Sequence, residues 1–328
     1  MIIITGGAGF IGSNLAASLE ERGEQDLVVF DRLGHDEKWR NLAKRELAAL
    51  LPPEAMFDFL DRHHREINIV FHLGAISSTT ETDADLIAAT NFTLPLRLWD
   101  WCAETETRFI YASSAATYGD GGGGFDDDSS LEALARLRPL NAYGWSKHLF
   151  DRRVARLLAQ PGKRPAQWAG LKFFNVYGPN EYHKATMRSV VAQLYPRAAK
   201  GEKARLFRSH RADVPDGGQQ RDFVHVADCI DMMLWLYDRP AVNGLFNIGS
   251  GTARSFADLA AAVYRALGRE PDFEFVDTPP EIRDKYQYFT EARMDRLHAA
   301  GYDKPATSLE DGVRDYVQNY LAAADPYR

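Results

Sequence analysis

The side chains best suited to chemistry in this 328-residue chain are Tyr143 and Lys147, four residues apart in the segment PLNAYGWSKHLFDRRVARLLA. At that spacing on a helix the two share one face. A phenol ordinarily titrates at about 10, so a lysine one turn away is a physical means of bringing it into use as a general acid/base near neutrality. Two hydroxyls can join them. Ser113 and Ser114 end the apolar run RFIYASS, which reads as a strand whose carboxyl end opens on a ligand crevice. A further candidate, Lys184, follows a turn at Gly178 and Pro179, with His183 beside it, in a polar stretch able to line a cleft.

The elements that must position these groups begin at the amino terminus. MIIIT reads as a strand buried on both faces, and Gly6, Gly9 and Gly12 follow at G-x-x-G-x-x-G spacing before a helix over 10–22 that Gly23 stops. Strand, glycine turn and helix present backbone N–H groups and a positive helix end to a phosphate. A second strand, LVVFD over 27–31, ends on a carboxylate about twenty residues beyond the turn, where dinucleotide-binding sheets place a ribose ligand. Arg32 and Lys38 beside it favour a 2′-phosphate and hence NADP, whereas Asp31 argues for NAD; the cations carry the expectation. Helices over 39–51 and 54–63 lead to the strand INIVFH, after which Gly74 and Ala75 permit close approach of a dinucleotide backbone. A helix over about 85–103 carries Asn91. The loop 119–130, with four consecutive glycines and three consecutive aspartates, reads as mobile surface, and the polar loop 209–220 as a lid or an insertion. RDFVHV, from Arg221, is expected to return as a strand of the large sheet. The fold class is therefore α/β. A Rossmann-type doubly wound parallel sheet spans 1–174 plus about 221–249, and a smaller interleaved α/β unit spans about 175–220 plus 250–328.

Composition removes several function classes. With 46 acidic against 39 basic residues the net charge is −7, and no basic tract or face suggests a nucleic-acid partner. Hydrophobic residues at 45% and charged residues at 26% match a globular chain. No apolar run approaches the length of a membrane span, and Met1 begins directly on a strand, so the expected compartment is the cytoplasm. Cys102 and Cys229 lie far apart in apolar contexts, which makes them packing residues rather than a disulfide or metal ligands, and no metal site is expected.

TGGAGFIG, Ser114 in ASSAATYG, Tyr143 and Lys147 in YGWSK, RDFVHV and NIGSG together resemble the extended short-chain dehydrogenase/reductases of the NAD-dependent epimerase/dehydratase superfamily, which act on nucleotide sugars. SSTTE, FNVYGPNEYHK, YQYFTEA and AAGYDKP are similar to those members that epimerise ADP-heptose at C6, a precursor of lipopolysaccharide core, and the similarity runs nearly from end to end. The resemblance implies NADP held by Gly6, Gly9, Phe10, Ile11, Gly12, Asp31, Arg32, Lys38, Leu73, Gly74, Ala75, Ile76, Ser77, Asn91, Lys147 and Val176. It implies catalysis by Ser114, Tyr143, Lys147 and Lys184, and substrate contacts from Ser114, Asn175, Thr186, Phe207, Arg221 and Tyr286. A homo-oligomer is also implied, with a pentamer as the form to test. The chain departs from the pattern in its longer 209–220 loop and in Gln193, where a histidine is expected. The alternatives are another nucleotide-sugar 4-epimerase or dehydratase using NAD, and a non-catalytic NADP-binding protein. The latter should have lost Ser114, Tyr143 or Lys147, and all three are present.

Overall fold

The computed structural model describes residues 1–279, 283 and 287–328. Tyr286 lies outside the described residues. The strands are β1 (Ile2–Thr5), β2 (Leu27–Phe30), β3 (Ala49–Leu51), β4 (Ile69–His72), β5 (Arg108–Ser114), β6 (Trp168–Phe173), β7 (Asn175–Tyr177), β8 (Ala204–Phe207), β9 (Gln220–His225), β10 (Gly244–Ile248), β11 (Ala253–Ser255) and β12 (Phe273–Val276). Around them lie α1 (Phe10–Glu21), α2 (Met56–His63), α3 (Ala84–Ala88), α4 (Leu94–Glu104), α5 (Leu131–Arg136), α6 (Ala142–Leu158), α7 (Val190–Ala199), α8 (Val226–Tyr237) and α9 (Phe256–Ala266).

Seven strands form one wholly parallel sheet in the order β10-β6-β5-β4-β1-β2-β3. Every residue of β1, β2, β4 and β10 is buried. The alternation of a strand explains how: Ile2 and Ile4 face a core with Leu15 and Leu19 of α1 and Ile230 and Met233 of α8, while Ile3 faces Leu60 of α2, Leu98 and Trp99 of α4 and Phe150 of α6. From β1 the chain builds β2 and β3 on one side, then crosses so that β4 pairs with the other edge of β1. The crevice at the carboxyl ends of β1 and β4 is thus the topological switch point, where open α/β sheets bind ligands.

A second group of elements grows from the end of β6. Only Phe174 separates β6 from β7, which joins β9 and β11 in a three-stranded sheet, while β8 and β12 pair parallel to each other. Val191 of α7, Leu206 of β8, Leu259 and Val263 of α9, and Val313 and Tyr316 of the helix Leu309–Tyr316 form its core.

Three local expectations are corrected. The strand containing RDFVHV is β9, and it belongs to the small sheet, parallel to β7 and antiparallel to β11. An apolar run reports burial and is silent about the partner strand. The segment 39–51 is not one helix: a 3₁₀ turn over Glu37–Leu42 is followed by β3, whose pairing with Val28–Phe30 of β2 overrides the helix propensity of its alanines and leucines. The loop 119–130 is anchored, not free on the surface. Phe125 and Asp127 are buried in it, with Phe125 against Tyr118 and Phe174, and Asn247 donates from its backbone to Asp127 Oδ2 and from its side chain to the Phe125 carbonyl, both at 2.8 Å. Cys102 and Cys229 are buried, unpaired thiols. Among the described residues no helix is long and apolar enough to cross a membrane, and no group of three or more potential ligands could hold a metal.

The turn after β1 is packed backbone on backbone. A Cβ added at Gly12 would collide with the Gly6 carbonyl oxygen and lie 2.8 Å from Gly7 Cα. Gly12→Ala is expected to cost about 1–3 kcal/mol, the usual penalty of overpacking, read as a lower urea midpoint. An unchanged midpoint would show that the turn is looser than described.

Candidate active site

The floor of the crevice is built by the glycine turn. Gly9 caps α1 without a side-chain hydrogen bond, so the first-turn N–H groups of the helix point into the cleft. Gly6, at φ 68°, lies so close to β4 that a Cβ there would sit 2.5 Å from Gly74 N. Asp31, at the end of β2, faces this turn: its Oδ2 accepts from Ala8 N at 2.8 Å, and its Oδ1 accepts from Arg32 N at 2.7 Å and Lys38 Nζ at 2.6 Å. The Arg32 guanidinium turns away to Glu54. On the far side of β4, a π-helical turn over Ala89–Thr93 brings Asn91 inward. Its Oδ1 accepts from Ile76 N and its Nδ2 donates to Ile76 O, each at 2.9 Å, so it holds the 73–77 wall from behind.

The wall opposite β4 comes from β5 and α6. Asn141 caps α6 through Gly144 N, and Gly144 lies where a Cβ would be 2.7 Å from the Ala116 carbonyl oxygen, so the helix can lie directly on the chain leaving β5. That approach brings Tyr143 and Ser114 into the same cleft. Burial pushes the phenol above its ordinary pKa, with the neighbouring Ser114 hydroxyl pulling the other way and the Asp151 charge adding to the rise. The expected depression by Lys147 is therefore not what governs Tyr143; desolvation outweighs it. Lys147 donates instead to the Ala112 carbonyl at 2.8 Å, and burial pulls its own pKa down to about 8.

Lys184 reaches the same cleft from the 3₁₀ segment Tyr182–Met187. Its ammonium lies 5.3 Å over the Phe10 ring, and burial lowers its pKa while Glu181 opposes the shift. Ala185 follows in a left-handed conformation, φ 47° and ψ −116°. His183 is pulled down to about 4, first by burial and then by Lys38 and Lys184, and lies 3.2 Å from Asn41 Nδ2.

The resulting cleft measures ≈ 630 Å³ and draws its lining from the glycine turn, Asp31, Lys38, the 73–78 wall, residues 112–114, Tyr143, Lys147, Val176 and the Lys184 segment. The sequence-derived set is thus brought together for Gly6, Gly9, Phe10, Ile11, Gly12, Leu73, Gly74, Ala75, Ile76, Ser77 and the four catalytic candidates. Arg32 and Asn91 stand outside the lining, as do Asn175, Thr186, Phe207 and Arg221. Asn175 and Thr186 are exposed, Phe207 ends β8, and the Arg221 guanidinium lies 5.6 Å from the Phe256 ring centre. Residues that sequence reasoning missed include Glu81, Phe173, Phe174 and Met187 in the lining, and Asn41 behind it. Glu81 closes SSTTE and Phe174 opens FNVYGPNEYHK, so those two lie within motifs already singled out without being given a role; for Phe173, Met187 and Asn41 it is the topology folding their segments over the crevice that points to them.

Comparison with known proteins shows the family. The family model described as the NAD dependent epimerase/dehydratase family matches residues 2–249. The chain belongs to the NAD dependent epimerase/dehydratase family. It is 50% identical, over 100% of both chains, to the ADP-L-glycero-D-manno-heptose-6-epimerase of Nitratidesulfovibrio vulgaris strain DP4. Among solved structures, it resembles ADP-L-glycero-D-manno-heptose-6-epimerase from Helicobacter pylori with a TM-score of 0.77 at 29% identity, covering 98% of this chain and 96% of that one. It also resembles the Thermus thermophilus UDP-glucose 4-epimerase complexed with NAD, with a TM-score of 0.75 at 25% identity, covering 98% and 99%.

This epimerase/dehydratase site fits a nicotinamide dinucleotide on its own evidence. The turn leaves no room for a Cβ at Gly12, the first turn of α1 offers uncapped N–H groups to a pyrophosphate, and Lys147 stands in the cleft within one helical turn of the phenol. The cost of that lysine is testable. Its folded-state pKa of about 8 lies below the ordinary 10.5, so between those values the unfolded chain binds a proton that the folded chain has released. Stability from this group therefore rises as pH rises through that window, and the full penalty, on the order of 3 kcal/mol, applies below it. Lys147→Met in this epimerase/dehydratase is expected to raise the urea midpoint near neutrality, with an advantage that shrinks as pH is raised through the window. A constant difference at all pH values would show that burial is not the cause.

Proposed function

We propose that this chain is an ADP-L-glycero-D-manno-heptose 6-epimerase, an isomerase that inverts C6 of the heptose with NADP retained through the cycle. The observation that carries the reading is that Ser114, Tyr143 and Lys147 from β5 and α6 share one cleft with Lys184 from a separate segment. The full-length likeness to relatives bearing that name at 44–50% identity supports the choice of sugar.

The stereocentre to be inverted bears a hydroxyl and has no acidic proton, so deprotonation alone cannot invert it. Oxidation of the carbinol to a planar ketone, rotation of the sugar, and reduction from the other face solve the problem without net redox change. A bound nicotinamide dinucleotide supplies the acceptance and return of hydride. The protein has to move a proton on and off the reacting oxygen in two orientations, and this requires two acid/bases. Tyr143, kept protonated by burial, serves one orientation, with Ser114 sharing a hydrogen bond with the oxygen and the Lys147 ammonium favouring the phenolate when the proton returns. Lys184 serves the other; burial lowers its pKa from the ordinary lysine value, which favours release of its proton.

NADP is favoured over NAD by the state of Asp31. Both its oxygens already accept protein hydrogen bonds, and Lys38 neutralises it, so little capacity remains for a ribose 2′-hydroxyl while a cation stands at the rim for a phosphate. Arg32 joins Lys38 in this role on leaving Glu54, and Asn91 supports the 73–77 wall against the cofactor. Asn175, Thr186, Phe207, Arg221 and Tyr286 are assigned to the ADP-heptose. Residues 1–174 with about 226–249 form the cofactor-binding unit, and the remainder, β9 included, the sugar-binding unit. Assembly as a homo-oligomer in the cytoplasm completes the reading.

Tyr143→Phe and Lys184→Met are each expected to lower the epimerisation rate by about a hundredfold or more, followed as product stereochemistry by NMR with ADP-heptose supplied. Inversion of a UDP-hexose in place of ADP-heptose would move the assignment to the 4-epimerases. Denaturation of the purified protein should release NADP by mass; NAD would overturn the reading of Lys38 and Arg32.

A further inference from the structure

Beneath the cleft lies an ion pair that the proposed chemistry does not use. Lys172 Nζ on β6 donates to Asp151 Oδ2 on α6 at 2.9 Å, and solvent reaches 1% and 0% of the two side chains. Burying two charges is costly, and apolar residues of similar volume would fill the space at least as stably. The partners of the pair suggest what it does instead. Asp151 Oδ2 also accepts from Ser113 Oγ at 2.7 Å, and Lys172 also donates to Thr117 Oγ1 at 2.5 Å. Thr117 Oγ1 in turn donates to the Ser114 carbonyl at 2.8 Å. With Lys147 on the Ala112 carbonyl, three consecutive residues at the end of β5 are each gripped by a side chain that belongs to this network or adjoins it. Asp151 sits one turn beyond Lys147 and two beyond Tyr143, on the same face of α6.

We propose that Asp151 and Lys172 are positioning residues of the active site, setting Ser114 against Tyr143 and fixing the charge that Lys147 experiences. The groups that face Asp151 are Tyr143, Lys147 and His148 from its own helix, Tyr111 from β5, Lys172 from β6, and Tyr118, whose ring lies 4.8 Å from Lys172 Nζ. The Asp151 charge raises the pKa of Tyr143 and of Lys147. Neutralising the carboxylate and neutralising the ammonium must then move Lys147 in opposite directions. A pair that only stabilised the fold would leave the rate untouched in a variant that keeps both charges and the fold.

The inference takes the identity of the reaction from the function proposed above, but its main readout does not. In protein carrying isotope-labelled lysine, with its cofactor bound, the Lys147 ε-carbon resonance is assigned by its loss in Lys147→Arg and followed against pH. Asp151→Asn is expected to lower its midpoint and Lys172→Met to raise it, with the limbs of the kcat profile moving in the same senses. Asp151→Glu keeps both charges and displaces Ser113, so it should lower kcat by about tenfold with KM within about threefold and leave the midpoint in place. Equal midpoints in the two neutralising variants, or full kcat in Asp151→Glu, overturns the proposal. If a neutralising variant does not fold, Asp151→Glu decides alone. Divergent midpoints in a protein that proves inactive on ADP-heptose would sustain the positioning role and refute the proposed substrate.

Discussion

The cleft depends on how closely two backbones meet at the ends of β1 and β4. Gly6 approaches Gly74 with no space for a Cβ, and the contact is held from below by Thr5, whose Oγ1 accepts from Gly74 N at 3.2 Å and bonds His72 Nδ1 at 2.7 Å. Burial keeps that imidazole neutral, with its pKa pulled down to about 3, so no second positive charge competes beneath the phosphate cradle. A side chain at this contact would spread the strands, tilt α1 and lose the alignment of its N–H groups with the crevice. The parallel order of the sheet creates the switch point; the absence of side chains at the turn makes it deep enough to use.

The cradle is also tied to the segment that carries Lys184, and the ties are carboxamides. Asn14 Nδ2 donates to Phe10 O at 2.9 Å and Pro179 O at 3.0 Å; Asn41 Nδ2 donates to Ala8 O at 2.9 Å and Asn180 O at 3.0 Å; Asn180 Nδ2 reaches Ser13 Oγ at 3.1 Å. A neutral amide can be buried at such a junction without the cost of a charge, and each Nδ2 here donates, while Asn41 Oδ1 is left buried without a partner among the described residues. Displacing the glycine turn therefore displaces Lys184. The left-handed Ala185 next to it is backbone strain that this anchoring has to hold, and such strain persists only where the surroundings over-determine it.

The sequence was informative wherever a pattern had a single physical cause. An unbroken apolar run before three spaced glycines has few meanings other than a buried strand feeding a phosphate turn, and a tyrosine and lysine at i, i+4 share a face in any helix. It failed where the cause lay in another element. RDFVHV announced a buried strand but not that β7 would be its partner, and the Phe125 anchor could not be seen behind a run of glycines and aspartates. The same holds for electrostatics. Spacing placed Lys147 beside Tyr143, yet the depth of burial, which no local pattern records, decides that the phenol rises and that the ammonium falls.

Besides Lys38 at the rim, Lys147, Lys184 and Lys172 of this net-acidic chain are drawn into or beneath one cleft, and their counter-charges separate their roles. Lys172 has a carboxylate in direct contact, a hydroxyl acceptor and an aromatic face, so its ammonium is met by a partner in each of these directions. Lys147 has a carbonyl in contact and feels Asp151 only from a turn away; Lys184 has the Phe10 ring and the influence of Glu181, whose oxygens are already engaged with Ser189. Incomplete compensation in a desolvated place is what lowers an ammonium pKa, and a lowered pKa is what lets a lysine exchange protons near neutrality. The same arithmetic that makes Lys147 and Lys184 expensive to fold makes them usable at the site. The fully paired Lys172 can only hold its neighbours in place.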